Sequence, residues 1–421
     1  MELTTLALLL AQIAAILLLS RALSVVTRAL GQPLVMAEML AGILLGPSLL
    51  GQLAPHVMDT LFPAASMPVL KTLSQLGLVL FMFVIGLELD PKLLKERRGS
   101  SVLISHASIF APFVLGLGAA WWLHARYAPA GVGFLPFALF CGTAMSVTAF
   151  PVLARILTEN GLVHTRIGAI AIACAAVDDV TAWCMLAFVV AIARAHGLSE
   201  AGLTAGLAAV FVLVMLFVAR PLLKRLSARL LVSGELSSAH LVFVLLLLLA
   251  SAGITELIGI HALFGAFLLG TVLPRDGGFA KLLIAKLEAV SVLLLLPLFF
   301  AFSGLRTRVG LVSGVGDWLV VLGIVGLATL GKFGGSTLAA RLTGLGWREA
   351  NAIGVLMNTR GLMELIVLNV GMDLGVISPT MFTMLVLMAL ITTFATTPIL
   401  HWVYPEPEAL RQTEAALLTR T

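Results

Sequence analysis

Residues 167–194 read IGAIAIACAAVDDVTAWCMLAFVVAIAR, an apolar run longer than the ~20 residues a helix needs to cross a bilayer, with Asp178 and Asp179 almost at its centre. A carboxylate in mid-bilayer costs about 2.5–3.5 kcal/mol on insertion scales, and two adjacent ones repel when both are ionised. The pair therefore needs a reason. A site holding either a proton or a hard cation fits both residues, because a carboxylate offers the oxygen ligands an alkali ion prefers and also takes up protons. A packing ion pair would account for one aspartate and leave the second alone.

The whole chain has the same character. Of 421 residues, 60% are hydrophobic and 11% charged, and the mean hydropathy is +1.10. A soluble domain averages about 25% charged residues and still exposes roughly a quarter of its unfolded surface, so a water-soluble globule is excluded. Apolar runs recur from end to end, which also excludes disorder, collagen and a coiled coil. Thirteen spans are expected: 4–26, 33–52, 67–90, 100–125, 132–157, 163–194, 200–220, 239–257, 259–274, 284–305, 316–342, 348–371 and 378–403. The fold class is an all-α polytopic membrane protein. The first run lacks a basic flank and a small-residue cleavage site, so it reads as a retained helix, and no soluble domain is expected after the last span. Cys141, Cys174 and Cys184 lie inside apolar segments without metal-site spacing and read as small packing residues.

The net charge of +5 does not point to nucleic acid. Loops after odd-numbered spans, with the C-terminal tail, hold 19 of the 26 basic residues, among them Lys92, Lys95, Arg97, Arg98, Arg220, Lys224, Arg225 and Arg229. Loops after even-numbered spans hold five: Lys71, Arg126, Arg194, Arg306 and Arg308. By the positive-inside rule the N-terminus is outside and the C-terminus cytoplasmic.

Two basic residues, Lys332 and Arg360, fall in mid-membrane. Lys332 is too deep to snorkel, so it needs an anionic partner, and Asp178 is the expected one; a water-filled crevice away from span 6 is the alternative. Arg360 and Glu364 are four apart, on one helical face, and read as a supporting pair, with direct contact to an ion or proton the other possibility. Glu38 and Glu88 lie near ends of apolar segments and read as structural.

A faint internal repeat relates LVLFMFVIGLELDP (78–91) to LLLPLFFAFSGLRT (294–307), aligning Gly86-Leu87 with Gly304-Leu305 at an offset of 218 residues, or seven spans. An odd number of spans reverses direction, so the halves form an inverted repeat, about 4–194 and 200–403. Span 5 contains SVTAFPVLAR, where Ser146, Thr148 and Pro151 should break the helix, and its counterpart span 12 contains NTRGLMEL, where Gly361 sits beside a charge. Two interrupted helices in corresponding places point to a midplane binding site.

PLVMAEMLAGILLGPSLLG, LGLVLFMFVIGLELD, SVTAFPVLARILTE, AVDDVTAW and NTRGLMELIVLNVG, in this order, resemble the monovalent cation:proton antiporter-2 family over nearly the whole chain. The resemblance implies a transmembrane antiporter domain over 1–403 with two crossed broken helices, a mobile core of about 100–194 and 316–403 moving like an elevator, and a short tail, 404–421. It places the carrier of Na+ or K+ and protons on Asp179, its partner on Asp178, the coupling lysine on Lys332, and the crossing at Thr148, Ala149, Phe150, Pro151, Thr359 and Arg360. It also implies a homodimer among membrane lipids, formed by the N-terminal spans of each half, for which Gly42, Gly46 and Gly51 offer small surfaces. The cytoplasmic regulatory region of the potassium-efflux and plant branches is not expected here, nor is gating by nucleotide or glutathione. No enzyme and no cofactor are expected; the location implied is the cell inner membrane. A proton-uncoupled channel or uniporter and a non-transporting sensor are the competing readings.

Overall fold

The computed structural model describes residues 5–88, 100–163, 165–194, 198–230, 237–274 and 278–405. Lys92, Lys95, Arg97, Arg98 and tail residues 406–421, named above for their charge and position, lie outside the described residues. Those described form helices joined by short connections: α1 Thr5–Ala29, α2 Leu34–Leu53, α3 Met67–Glu88, α4 Ser100–Tyr127, α5 Phe134–Thr158, α6 Arg166–Arg194, α7 198–230, α8 Ser238–Ile258, α9 Ala262–Val272, α10 279–306, α11 Gly314–Leu342, α12 Trp347–Asp373 and α13 Pro379–Val403. Twelve are long and apolar enough to cross a membrane. The remaining one, α9, falls in the expected span 259–274 and has 11 residues, roughly half the length of a full crossing. Its start is fixed by the left-handed turn at Gly259 (φ 98°) that ends α8, followed by His261, also at positive φ (84°), whose ring accepts from the Leu263 amide.

At several close approaches between helices, glycine leaves room for a neighbouring backbone. A Cβ on Gly42 of α2 would fall into the Ala301 backbone of α10, and one on Gly304 of α10 would meet the Met39 carbonyl at 2.5 Å. The relation recurs between α3 and α9, where Gly86 faces the Phe267 backbone and Gly270 the Phe83 backbone. Helix α2 thus packs on α10 as α9 packs on α3, the first pair eight helices apart in the chain and the second six. Gly42 and Gly46, expected to serve a dimer interface, are used within the chain against Ala301 and Leu305, while Gly51 faces Met58 of a short surface helix, Pro55–Leu61.

The closest packing falls into two groups. Helices α1, α2, α3, α8, α9 and α10 contact one another; α4, α5, α6, α11, α12 and α13 form the other. Within the second group, Gly331 of α11 rests on Pro112 in the middle of α4, Gly116 rests on Gly142 of α5, and Gly354 of α12 rests on Phe333. At one end, Asp317 at the start of α11 accepts from Arg126 (2.8 Å) and Tyr127 (2.7 Å) at the end of α4 and from the Ser313 amide (3.2 Å). Glu38, placed near a segment end by its sequence, is 4% exposed inside α2, whereas Glu88 is exposed at the end of α3. Cys141 and Cys174 are buried as expected, but Cys184 faces outward.

A backbone neighbour cannot move aside as a flexible side chain can, so Gly42→Ala must separate α2 from α10. The expected loss is about 1–3 kcal/mol, of the size seen when a packed interior is overfilled. Gly323→Ala, where nothing lies within 4 Å, should leave stability unchanged. Heating the detergent-solubilised variants and measuring the surviving monodisperse fraction separates the two outcomes.

Candidate functional site

Both interrupted helices are present, and their breaks face each other. Helix α5 runs Phe134–Ser146, opens over Val147–Ala149 and resumes at Phe150–Glu159, with Pro151 in the first turn, where its missing N–H would have no intrahelical partner. Helix α12 runs Trp347–Met357, opens over 358–361 and resumes at Leu362–Asp373. The strands of open backbone bond directly, the Ala149 amide donating to the Thr359 carbonyl at 3.0 Å. No Cβ fits at Gly361, which would meet Val152 at 2.8 Å.

Broken helices leave carbonyls and amides that lipid cannot satisfy. Arg360 answers for the first half of α5: its Nη1 donates to the Ala144 carbonyl at 2.9 Å and its Nη2 to the Met145 carbonyl at 2.8 Å. Thr393 of α13 answers for the break in α12, accepting from the Arg360 amide (3.0 Å) and donating to the Arg360 carbonyl (2.9 Å). Arg360 also lies 3.4 Å from Glu364, both fully buried, so the guanidinium is a clasp between the broken helices.

Beside this crossing, four side chains enclose Asp178. Ser105 donates to Oδ1 at 2.5 Å, and Ser108 and Thr148 donate to Oδ2 at 2.7 Å each. Lys332 Nζ lies 3.2 Å from the same Oδ2. The ammonium's other protons are also placed, on Thr148 Oγ1 at 2.5 Å and Ser108 Oγ at 3.2 Å. Each hydroxyl therefore accepts from the lysine and donates to the carboxylate, and all three ammonium protons have acceptors. Lys332 sits in a π-helical turn, Leu330–Gly334, that offsets α11 by one residue at the lysine.

Asp179 is differently placed. It is 4% exposed, the Phe150 backbone N–H lies against its carboxylate, and its Oδ1 has no hydrogen-bond partner among the described residues. Buried oxygens of Thr359 (Oγ1) and Asn358 (Oδ1), in the α12 break, are likewise without partners. Hard neutral and anionic oxygens are the donor chemistry of an alkali cation. Ser146, expected at the crossing, spends its hydroxyl on its own helix, 2.9 Å from the Thr143 carbonyl.

Sequence reasoning did not find Ser105, Ser108 or Thr393. A signal existed for the first two: Ser101, Ser105 and Ser108 are spaced four and three apart, one polar stripe on an apolar helix.

A cavity of about 230 Å³ lies against the crossing, lined by Phe81, Ile85 and Glu88 of α3, Glu288 and Phe300 of α10, and Pro151 and Leu362, which open the second halves of both broken helices.

Residues 13–403 match the family of transmembrane sodium/hydrogen exchangers. The chain is 43% identical over 408 residues to the Na(+)/H(+) antiporter NhaS4 of Synechocystis, covering 97% of this chain and 100% of that one. It is 43% identical to cation/H(+) antiporter 17 of Arabidopsis thaliana (97% of this chain, 50% of that one) and 37% identical to K(+)/H(+) antiporter 1 of Saccharomyces cerevisiae (89% and 44%). It thus spans about half the length of the plant and yeast relatives. Its fold matches that of the sodium proton antiporter MjNhaP1 from Methanocaldococcus jannaschii, with a TM-score of 0.63 over 94% of this chain and 97% of that one at 16% identity. The chain belongs to the sodium/hydrogen exchanger family of monovalent cation:proton antiporters.

Proposed function

We propose that the protein exchanges Na+ or K+ for protons by alternating access, electrogenically, with Asp179 as the carrier. The observation that carries this reading is the asymmetry of the acidic pair. Asp178 is saturated with donors, while its neighbour, equally deep, keeps a carboxylate oxygen without a partner. A group that must hold a proton on one side and a cation on the other cannot be committed to a fixed donor. Relatives named as Na(+)/H(+) and K(+)/H(+) antiporters support the exchange, and both ions remain candidates.

The moving body in this proposal is the group α4–α6 with α11–α13, which contains every residue of the site, sliding as an elevator against the other group. The inverted repeats, about 4–194 and 200–403, supply its symmetry. The N-terminus lies outside and the C-terminus in the cytoplasm, following the distribution of basic loops, so the 230 Å³ cavity faces the cytoplasm. The protein works in the cell inner membrane as a homodimer. Helices α1 and α8 carry long exposed apolar faces suited to that contact, including Leu10, Leu18, Leu246 and Leu257.

Electrogenicity follows if Lys332 yields a proton as Asp178 turns toward the cation. Two protons then move per cation, and membrane potential drives the cycle with about 2.3 kcal/mol per charge per 100 mV. The completeness of the Lys332 hydrogen bonds favours a second reading, in which the pair never opens and one proton exchanges for one cation without current.

Asp179→Asn should abolish exchange in proteoliposomes carrying a pH-sensitive dye, under either a sodium or a potassium gradient, while the protein still elutes as a folded species. Near-normal exchange would remove Asp179 as carrier.

Lys332→Gln leaves Asp178 buried and uncompensated, at a cost of about 3–5 kcal/mol, so this variant should be thermally weak and Asp178→Asn/Lys332→Gln should recover. The recovered double variant should exchange ions without current on a solid-supported membrane, where wild type gives one. A silent but active wild type would instead establish the permanent pair.

A further inference from the structure

Thr148 stands between the buried pair and the helix crossing, fully buried in the open stretch of α5. Lys332 Nζ lies 2.5 Å from its hydroxyl oxygen, nearer than the lysine's counter-ion Asp178 at 3.2 Å. The hydroxyl itself has two acceptors in reach, Asp178 Oδ2 at 2.7 Å and the Met357 carbonyl at 3.2 Å. It carries a single proton to share between them. Pointed at Asp178, that proton helps complete the shell of the carboxylate. Pointed at Met357, it meets the last residue of the first half of α12, where a helix end leaves carbonyls without intrahelical donors.

The carbonyls of its own helix are not open to it. In an unbroken helix a threonine turns its hydroxyl onto the carbonyl three or four residues back, which for Thr148 means Met145 or Ala144. Arg360 already holds both, at 2.8 Å and 2.9 Å. Ser105 and Ser108, which also donate to Asp178, lie in the unbroken first part of α4 and keep that recourse. Thr148 has Met357 in its place.

We infer that Thr148 is a positioning residue for the exchange, a two-position hydroxyl that donates to Asp178 while the pair with Lys332 is closed and to Met357 once Asp178 turns toward the cation. The inference rests on the opening of the pair in the electrogenic cycle proposed above, and adds the group that takes over when the carboxylate leaves. Without a second acceptor the departing carboxylate would strand a buried donor, which disfavours opening by about five- to 150-fold. Rotation about the Cβ–Oγ1 bond removes that penalty without moving a heavy atom, and Oγ1 still accepts from Lys332. In its second position the hydroxyl adds a bond between the two breaks, beside the one from the Ala149 amide to the Thr359 carbonyl. The residues that follow Met357 are Asn358 and Thr359, whose buried oxygens have no partner among the described residues. Opening the pair therefore tightens the crossing at the edge of those oxygens.

The test reads the Met357 carbonyl. Purified protein carrying methionine labelled with carbon-13 at the carbonyl is moved from choline buffer to saturating Na+ or K+, and infrared difference spectra are recorded. The band missing in Met357→Leu, a volume-conserving exchange, belongs to that carbonyl. Cation should move it to lower frequency, the sign of a stronger hydrogen bond, in wild type and in Thr148→Ser, and leave it in place in Thr148→Val. A band that stays in place in wild type, while the carboxylate bands lost in Asp179→Asn respond to the cation, would overturn the switch and leave the exchange reading standing. A shift of equal size in Thr148→Val would overturn it too, because another group would then be the donor. A wild type whose bands answer neither cation, and which moves no protons in proteoliposomes, would remove the proposed exchange and the switch with it.

Discussion

A charged pair enclosed in lipid, Asp178 with Lys332, is the constraint around which one side of the molecule is arranged. Neither member can be left without the other, and neither can be left with an unused proton or lone pair facing hydrocarbon. Satisfying both draws in Ser105 and Ser108 from α4, Thr148 from the break in α5 and the π-helical turn of α11. Four helices are thereby fixed to one carboxylate. The close approach of α4 to α11 at Pro112 and Gly331 brings the lysine near enough for this to happen.

The second constraint is that irregular backbone survives at membrane depth only when protein supplies its hydrogen bonds. Arg360 and Thr393 do so for the two breaks, and each ties separate helices while doing it. Arg360 is thus a structural cation, bound to carbonyls and to Glu364, in a region where a charge invites a transport role. Its Nη1 and Nη2 donate to Ala144 and Met145, while Asp179 Oδ1, Asn358 Oδ1 and Thr359 Oγ1 have no partner among the described residues.

The parts of this arrangement that were legible in sequence are those whose cost is large wherever they fall. Two aspartates and a lysine in apolar runs demand explanation without knowledge of the fold, and so does a proline in mid-span. Ser105, Ser108 and Thr393 carry no such cost, because a hydroxyl in a membrane helix can bond its own backbone, as Ser146 does. Only packing distinguishes a serine aimed at a carboxylate from one turned on its own helix. The burial of Glu38 was not legible for a related reason: distance from a segment end says nothing about which face of α2 is covered. The glycines of α2 were legible as contact points, but their partner, α10, lies more than 250 residues away. The shortness of α9 was hidden because apolar residues continue through its flanks, and the turn at Gly259 to His261 takes them out of the helix.

The exchange of partners between the halves, α2 on α10 and α3 on α9, has a consequence for how the chain is made. The glycine faces of α2 and α3 find no cover in the first half, so during synthesis these helices enter the membrane with bare backbone surfaces that stay uncovered until helices encoded over 170 residues later arrive. The first half must wait in lipid, or in the company of an insertion factor, without the contacts that define it. Folding is consequently late and all at once for this part of the molecule, and a ribosome stalled before α10 would release a chain whose helices are all inserted and whose interior does not yet exist.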